Sequence, residues 1–329
     1  MADRIRWGIA GTGGIASAFA ADLALLPDAE IVAVGSRSQE SADAFADRFG
    51  IPRRHVGYAA LAADPEVDAI YVAVPHTGHA EATLAAIEGG KAVLCEKPFA
   101  VNARETEQMI AAARAKGTFL MEAMWVRFLP HFALVRELIA QGRIGAVRSV
   151  IADRCDILST DPTHRIRAAE LAGGALLDLG IYPVSLVSMA TGGRLPARVE
   201  AVAAMTDTAV DAHASMVFQY PDGAQAVVTT ALDLRSANTA TIVGTEGRIV
   251  ITQPWARTSP VEVIALDGTS HTTHLPHEGH GLRHQAAEVG ARLRAGELES
   301  PVMPLDETLA IMRTLDLVRE RIGLRYPGE

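Results

Sequence analysis

Hydrophobic positions in the first 125 residues alternate between short continuous runs and longer segments with helical periodicity. Short apolar runs are typical of strands covered on both faces, whereas apolar residues repeated every three to four positions indicate amphipathic helices. Regular alternation of the two favours a parallel sheet with helices on both faces. The predicted strands are IRWGIAG, AEIVAVGSRS, VDAIYVAVP, KAVLCEKP and TFLMEAMW. The predicted helices are GIASAFAADLALL, SADAFADRFG (closed by Gly50), HAEATLAAIEGG and NARETEQMIAAARAKG.

The pattern changes near Met124. A predicted helix and strand lead into a glycine-studded apolar helix, GGALLDLGIYP, and from Ala197 strand-like segments alternate with turn sequences such as YPDGA. They predict an antiparallel or mixed sheet of about six strands, closed by helices around 282–295 and 305–322. We therefore predict an α/β protein. Its Rossmann domain, a doubly wound parallel sheet, spans 1–123, and an α/β domain with an open, mostly antiparallel sheet spans 124–329.

Composition and charge narrow the class of protein. A chain of 329 residues favours two domains, because a single core rarely grows beyond ~250–300 residues. The net charge of −9 argues against nucleic acid as a partner. Cys95 and Cys155 cannot form a disulfide framework, which fits a reducing compartment. We expect no signal peptide and no membrane span, since no unbroken apolar run reaches ~18 residues, and we predict a cytoplasmic protein.

The first predicted strand runs directly into a glycine-rich turn that opens the first predicted helix. Gly11 permits the tight turn, Gly13 lets the backbone approach a pyrophosphate, and Ala16 allows close packing of helix on strand. The N–H groups and dipole at a helix N-terminus favour an anion. We therefore predict a dinucleotide site, with a glycine turn that binds no ligand as the alternative. The residues predicted to bind the cofactor are Gly11, Thr12, Gly13, Gly14, Ile15 and Ala16.

The end of the second predicted strand bears on the choice between NAD and NADP. A carboxylate about 20 residues after the glycine turn would bind the ribose 2′-hydroxyl of NAD. The strand instead ends in VGSRS, where Ser36, Arg37 and Ser38 offer a guanidinium and two hydroxyls for a 2′-phosphate. We predict NADP as the cofactor, bound by Ser36 and Arg37, with NAD as the alternative. An exposed loop arginine without a ligand is the other interpretation of Arg37.

Two further strand ends indicate the same crevice, because ligands of doubly wound sheets bind outside the carboxyl ends of the strands. The fourth predicted strand ends in CEKPF, which places Lys97, with Glu96 before it, at the cofactor. The third ends at Val74 and Pro75, and His79 follows shortly after. His79 either lies near the nicotinamide half of the crevice or simply begins the next helix.

The combination of GTGGIA, VPHTGHA, CEKPFA and GGALLDLGIYP resembles the glucose-fructose oxidoreductase / inositol dehydrogenase (Gfo/Idh/MocA) family over essentially the whole chain. The segments EAMWVRFLPHF and RYPGE are similar to the branch of dimeric dihydrodiol dehydrogenases and NADP-dependent D-xylose 1-dehydrogenases. The resemblance implies that Lys97 lies beside the nicotinamide and the substrate. It implies that Asp178 and Tyr182 lie over the same pocket, whose wall is the open sheet. Many members have His where this chain has Tyr182, which argues against an inositol dehydrogenase.

Oxidation of an alcohol needs a base for the hydroxyl proton. We predict Tyr182 in that role, with the Lys97 ammonium stabilising the phenolate and Asp178 orienting Lys97 or a second substrate hydroxyl. The alternative makes Lys97 the proton carrier and Tyr182 the orienting group. Asp178 and Tyr182 are spaced i, i+4, which on an α-helix puts both on one face. Asp178 could instead cap a helical turn without touching substrate.

Other polar and aromatic residues are further candidates. Trp125 and Arg127, in MWVRF, and Arg165, in THRIR, are candidate substrate contacts, although tryptophan packing and a solvated arginine explain them as well. We predict no metal site, because the spacing of the histidines in HTTHLPHEGHGLRH fits no compact ligand set and no cysteine lies nearby. These histidines are His271, His274, His277, His280 and His284.

Together these features predict an NADP-dependent oxidoreductase whose substrate is a small polyhydroxylated molecule. The substrate classes are an aldose such as D-xylose, oxidised at C1, and a trans-dihydrodiol. The alternative is a non-catalytic NADP-binding regulatory or sensor protein of the same fold. Apolar alternation in ARVEAVAAMT and QAVVTTAL leaves a sheet face to be covered, which predicts a homodimer or homotetramer through the C-terminal sheet.

Overall fold

The computed structural model describes residues 4–329 and divides them into two compact units. The first unit contains the chain up to Phe128 together with Glu278–Thr308, and the second contains Leu129–His277 and Leu309–Glu329. The predicted division placed everything after residue 123 in one domain, whereas these units assign 278–308 to the N-terminal part.

Six parallel strands form the sheet of the first unit. They are β1 (Ile5–Ala10), β2 (Ala29–Ser36), β3 (Arg53–Val56), β4 (Ala69–Val72), β5 (Ala92–Glu96) and β6 (Leu120–Ala123). Their order, β3-β2-β1-β4-β5-β6, is that of a doubly wound dinucleotide-binding sheet, with the reversal between β1 and β4. The predicted Rossmann fold is therefore confirmed.

Five helices connect these strands. They are α1 (Gly14–Leu23), α2 (Gln39–Phe49), α3 (Tyr58–Ala62), α4 (His79–Glu88) and α5 (Ala103–Lys116). Gly50 adopts φ +68° and ends α2, as predicted. The sequence prediction missed β3 and α3, because RRHV is polar and largely exposed and α3 is a helix of only five residues. The strands predicted as third and fourth are therefore β4 and β5.

The second unit combines an eight-stranded sheet with two complete helices and with most of the last helix of the chain, which continues past residue 308. Its elements are α6 (Pro130–Ala140), β7 (Val147–Cys155), α7 (Ile181–Ala190), β8 (Arg198–Met205), β9 (Asp211–Gln219), β10 (Gln225–Ala231), β11 (Ala240–Gly244), β12 (Gly247–Ile251), β13 (Val261–Ala265) and β14 (Ser270–Thr273). The order is β14-β13-β12-β11-β7-β10-β9-β8. Only β7 and β10 pair in parallel, so the predicted open, mostly antiparallel sheet is confirmed.

The sheet of the second unit is larger than the predicted six strands. It includes β7, which inserts between β11 and β10, and β14, whose sequence SHTT lacks an apolar pattern. One face is buried, with Val150, Ala226 and Val228 fully covered. The opposite face is open and exposes apolar side chains.

The segment 278–308 belongs to the first unit because it packs on α1. It contains α8 (Arg283–Ala295) and the first residues of α9 (Leu305–Ile322). The buried carboxylate of Asp22, on α1, accepts backbone N–H bonds from His280 at 2.8 Å and Leu282 at 2.7 Å. An acid 258 residues earlier in the chain thereby satisfies N–H groups at the start of α8.

One stretch of the described chain, Ala169–Ala190, is long and apolar enough to cross a membrane by length and composition. Of the 18 most apolar consecutive residues in this stretch, 89% are buried inside the structure. This burial is what a core helix of the second unit requires.

Candidate functional site

The glycine turn between β1 and α1 is shaped for a ligand that contacts backbone. Gly11 has φ +107° and its N–H donates to the Gly35 carbonyl at 2.9 Å, while an added Cβ would lie 2.5 Å from the Ala73 oxygen. Around Gly13 and Gly14, by contrast, no atom lies within 4 Å of the position of a Cβ. No side chain caps the start of α1. The bare N–H groups fit the pyrophosphate of a dinucleotide.

The other residues predicted to bind the cofactor at this turn differ in exposure. Thr12 is half-buried and Ile15 is exposed, so both reach the surface next to the open backbone. Ala16 is completely buried, as its predicted role in close packing requires.

The end of β2 presents a cation and no carboxylate. Ser36 is the last residue of the strand and is buried, and Arg37 follows as an exposed residue. The Ser38 hydroxyl caps α2, since it accepts the Ser41 N–H at 3.3 Å. Of the three polar residues in this loop, Ser38 therefore already has a structural task, while the Arg37 guanidinium projects from the surface.

His79 joins the ends of β4 and β5. Its buried ring lies between two backbone carbonyls, with Nε2 3.0 Å from the Val74 oxygen and Nδ1 2.8 Å from the Pro98 oxygen. Each ring nitrogen that carries a proton can donate to the carbonyl oxygen it faces. His79 also begins α4. Its ring nitrogens contact backbone oxygens close to the strand ends, where Val74 and Pro75 lie.

Glu96 fixes the backbone that carries Lys97. The Tyr71 hydroxyl donates to Glu96 Oε1 at 2.5 Å, and the Lys97 N–H donates to Oε2 at 3.2 Å. Tyr71 itself is stacked on Phe19, with ring centroids 3.8 Å apart. The Glu96 carboxylate is buried and engaged by protein donors, and Lys97 follows it directly at the end of β5. The Lys97–Pro98 peptide bond is cis.

Trp125 and Arg127 lie in a short 3₁₀ helix, Trp125–Phe128. Trp125 is half-buried. Arg127 is buried, and its Nη2 lies 2.7 Å from Glu307 Oε1. This ion pair links the 3₁₀ helix to the start of α9, and the guanidinium is not at the protein surface.

Glu122, on β6, is a buried acid that the sequence analysis missed. Its side chain is completely buried, and within residues 4–329 neither carboxylate oxygen makes a hydrogen bond. Burial raises the pKa of Glu122 to about 7, against the opposing effects of Thr308 and the Arg127 guanidinium. The single acid in the apolar run FLMEAMW is the sequence signal that could have found it.

Asp178 binds an arginine. Its Oδ1 accepts from both Nη atoms of Arg165 at 3.1 Å, and the carboxylate is 9% exposed while the Arg165 side chain is 48% exposed. Charge-assisted bonds of this kind explain how an acid is tolerated among apolar neighbours. Two of the sequence-derived candidates are thus in direct contact within the second unit.

The backbone around Asp178 is not the regular α-helix that the i, i+4 spacing assumed. Leu176–Gly180 is a π-helical turn that runs into α7, where Tyr182 is the second residue and Pro183 the third. Pro183 has no N–H to donate, so an irregular hydrogen-bond pattern in the preceding turn is expected. Asp178 and the largely buried Tyr182 therefore lie on opposite sides of a change in helix type. Single π turns are frequent at functional sites.

The five histidines of 271–284 are spread over different elements. His271 is on β14, Thr258 contacts His277, and His284 is on α8. Between residues 4 and 329, no group of three or more His, Cys, Asp or Glu side chains is gathered as a metal site requires.

The sequence matches known family models over both units. Residues 5–124 match an oxidoreductase family with an NAD-binding Rossmann fold, and residues 132–250 match the GFO/IDH/MocA C-terminal domain.

Relatives and solved structures cover the full length of the chain. Trans-1,2-dihydrobenzene-1,2-diol dehydrogenase from Mus musculus is 39% identical, and the human protein of that name 38%, each over 99% of both chains. Aldose-aldose oxidoreductase from Caulobacter crescentus, complexed with glycerol, superposes with a TM-score of 0.88 at 25% identity over 97% of this chain and 98% of that one. A 3-ketoreductase from Actinomadura kijaniata, in complex with NADP and TDP-benzene, gives 0.84 at 28% identity over the same shares. The chain belongs to the GFO/IDH/MocA family and is an NAD(P)-binding oxidoreductase of the dehydrogenase kind.

Proposed function

We propose that this protein is an NADP-dependent dehydrogenase that oxidises or forms a CH–OH group of a small polyhydroxylated substrate. The observation that carries the proposal is the full-length 39% identity to a trans-dihydrodiol dehydrogenase. The structural likeness to an aldose-aldose oxidoreductase supports an aldose, oxidised at C1, as the second substrate class.

A matrix of cofactors and substrates tests this function. NAD and NADP are crossed with D-xylose, D-glucose, further aldoses, inositol and a trans-dihydrodiol, and reduction of the cofactor is followed by absorbance. We expect turnover with NADP and either an aldose or the dihydrodiol. Tight NADPH binding without turnover on any substrate would instead favour the non-catalytic sensor.

The preference for NADP rests on the end of β2. Arg37 is exposed immediately after the strand, next to the Ser36 hydroxyl, and the first acid that follows is Glu40, in the first turn of α2. A guanidinium can donate two parallel hydrogen bonds to a phosphate, whereas the ribose 2′-hydroxyl of NAD calls for a carboxylate.

In the proposed mechanism, bound NADP supplies the two-electron acceptor and the chain's own residues manage the proton. Tyr182 acts as a phenolate, whose oxygen takes the proton of the reacting hydroxyl and becomes a neutral phenol. The Lys97 ammonium stabilises the negative charge of that phenolate before the proton is transferred. The backbone of Lys97 is fixed for this task by the Glu96 carboxylate. The alternative, with Lys97 as the proton carrier, predicts the larger loss of activity for Lys97 variants.

Asp178 and Arg165 are proposed to orient the substrate. Their ion pair presents both an acceptor and donors, which suits a molecule with adjacent hydroxyl groups. Trp125 is retained as a proposed wall of the substrate pocket. Arg127 is proposed to support the substrate pocket indirectly, through its ion pair with Glu307, since its guanidinium is buried.

A second copy of this chain is the proposed protein partner. Ile151, Val227 and Val217 are neighbours in register on β7, β10 and β9, and each is between 44% and 52% exposed on the open face. An apolar row of this kind on a sheet marks an interaction surface.

Val227→Asp is expected to shift the protein to a monomer in analytical ultracentrifugation. Leu266→Asp, at an exposed residue after β13, is the control. The absence of nucleic-acid and membrane partners, and the cytoplasmic location, stay predictions.

A further inference from the structure

The glycine turn that leads into the Asp178 helix, at residues 173–174, is held by hydrogen bonds to residues before it in the chain. Gly173 and Gly174 donate their N–H groups to Ala168 at 3.0 Å and Ile166 at 2.8 Å, which folds the turn back on the short helix that carries Arg165. The π-helical turn begins only two residues later, at Leu176. The same turn thus positions both members of the Arg165–Asp178 ion pair.

Asp211, the first residue of β9, fills the space beside this turn. Its Oδ2 accepts the Leu176 N–H at 2.6 Å, so the acid caps the start of the π-helical turn from a distant strand. Gly174 has φ +112°, and an added Cβ there would overlap Asp211 Oδ1. Asp211 is completely buried.

The last residues of the chain hold the other end of the turn. The buried hydroxyl of Tyr326 donates to the Gly173 carbonyl at 2.6 Å. The Arg319 guanidinium, on α9, lies 4.6 Å above the Tyr326 ring and pairs with Glu329. A segment 153 residues later in the chain therefore fixes a carbonyl five residues before Asp178.

We propose that Asp211 and Tyr326 are positioning residues. They set the backbone of the glycine turn at 173–174, which leads into the π-helical turn of Asp178 and the helix of Tyr182. They determine substrate turnover without touching substrate. The inference rests on the proposed function, since it assigns the catalytic work to Asp178 and Tyr182. Its structural part, that the two side chains hold the turn, does not depend on that function.

Asp211 also gives the turn a titratable support. Burial raises its pKa to about 7, against the charge of Arg319, and Tyr326 faces it from the tail. Protonation as the pH falls through about 7 removes the charge from the group that accepts the Leu176 N–H, and charged acceptors bind N–H groups more strongly than neutral ones. The pH profile of kcat/KM is therefore a readout that a purely structural role would leave unchanged.

Tyr326→Phe and Asp211→Asn test the proposal. Phenylalanine removes only the hydroxyl and leaves the buried Gly173 carbonyl without it, so we expect kcat/KM for the substrate to fall by about tenfold. The Kd for NADPH should stay within twofold. Hydrogen–deuterium exchange over 172–182 should accelerate while the Rossmann strands stay protected. Asp211→Asn should remove an inflection near pH 7 from the kcat/KM profile.

Tyr220→Phe is the matched control, because Tyr220 is a buried tyrosine of the same unit that the turn does not use. It should leave kcat/KM within twofold. Unchanged exchange and unchanged kcat/KM in Tyr326→Phe would overturn the inference, as would an unaltered pH profile in a folded Asp211→Asn. If Asp211→Asn fails to fold, Tyr326→Phe decides, since it removes a single oxygen atom. Activity retained in both Lys97→Ala and Tyr182→Phe would overturn the proposed catalytic roles instead, and absence of turnover on every substrate would overturn the proposed function. The exchange result would still stand in either case.

Discussion

Two glycine turns lead into the helices that carry the proposed chemistry, and they differ in the space that follows their first strained glycine. Gly11 and Gly174 share nearly the same backbone angle, with φ +107° and +112°. After Gly11, the backbone of Gly13 and Gly14 is bare and open. Around Gly174, the space is filled by Asp211. One turn leaves room for a ligand, and the other lets the protein pack against itself.

This difference has a practical meaning for mutations. A side chain added at Gly13 or Gly14, where a Cβ meets no atom, competes with the cofactor and spares the fold. A side chain added at the filled turn competes with buried protein atoms, so the fold is affected first and the chemistry follows.

Gly174→Ala should give the largest effect. Alanine at φ +112° is strained, and its Cβ would overlap the Asp211 carboxylate. We expect a loss of about 3 kcal/mol or more in the free energy of unfolding, measured by urea denaturation. Gly14→Ala, in the open turn, should change this free energy by less than about 1 kcal/mol. Equal losses in the two variants would mean that the turns do not differ as described.

Tyr182→Phe should lower kcat by about 10²-fold, since removal of the phenol removes the proposed proton carrier. The Kd for NADPH, measured by fluorescence, should not change, because the cofactor turn belongs to the other unit. A loss below tenfold would move the proton-carrying role to Lys97.

Glu122→Gln tests whether the buried acid of the first unit has a raised pKa, as Asp211 has in the second. Because the pKa is raised to about 7, the folded protein keeps the proton that the unfolded chain releases near its ordinary pKa of 4.5. The contribution of protonated Glu122 to the free energy of unfolding is complete below the unfolded pKa of 4.5, and it is lost as the pH rises through about 7. Relative to wild type, the glutamine variant should therefore gain about 2 kcal/mol between pH 5 and pH 8, measured by urea denaturation. A pH-independent difference would contradict the raised pKa.

Arg37→Asp should have the smallest effect and leave both turns intact. An acid at this position repels a 2′-phosphate and can accept a bond from a ribose hydroxyl, so the NADP/NAD ratio of kcat/KM should fall by about tenfold or more. An unchanged ratio would contradict the assignment of Arg37. Arg4→Asp, at an exposed arginine just before the first residue of β1 and so at the edge of the sheet away from the strands' carboxyl ends, is a suitable control.

The sequence predicted the parts of the molecule that are encoded locally. The glycine fingerprint between β1 and α1 and the stop at Gly50 depend on neighbours in the chain, and both follow from residue type and order. The polar strands β3 and β14 escaped because their pairing is decided by the sheet and not by an apolar pattern.

The support of the second turn could not be predicted, because its partners are far apart in sequence. Asp211 caps a residue 35 positions earlier, and Tyr326 reaches back over 153 positions. The same holds for Asp22, which binds N–H groups more than 250 residues later and draws α8 into the first unit. The family resemblance pointed to Asp178 in the sequence, but its arginine partner and the π-helical turn emerge only from the folded chain.

The contacts of Asp22 determine how this enzyme could exchange parts with its relatives. A nucleotide-binding unit cut after Phe128 would leave that carboxylate buried without the N–H groups of 280–283, since these arrive on a separate piece of chain. A chimera that swaps cofactor specificity must therefore transplant two segments together, 4–128 and 278–308. Recombination at a single crossover would bring together an acid and a helix start from different parents, so the parent that supplies residues 4–128 must keep that aspartate.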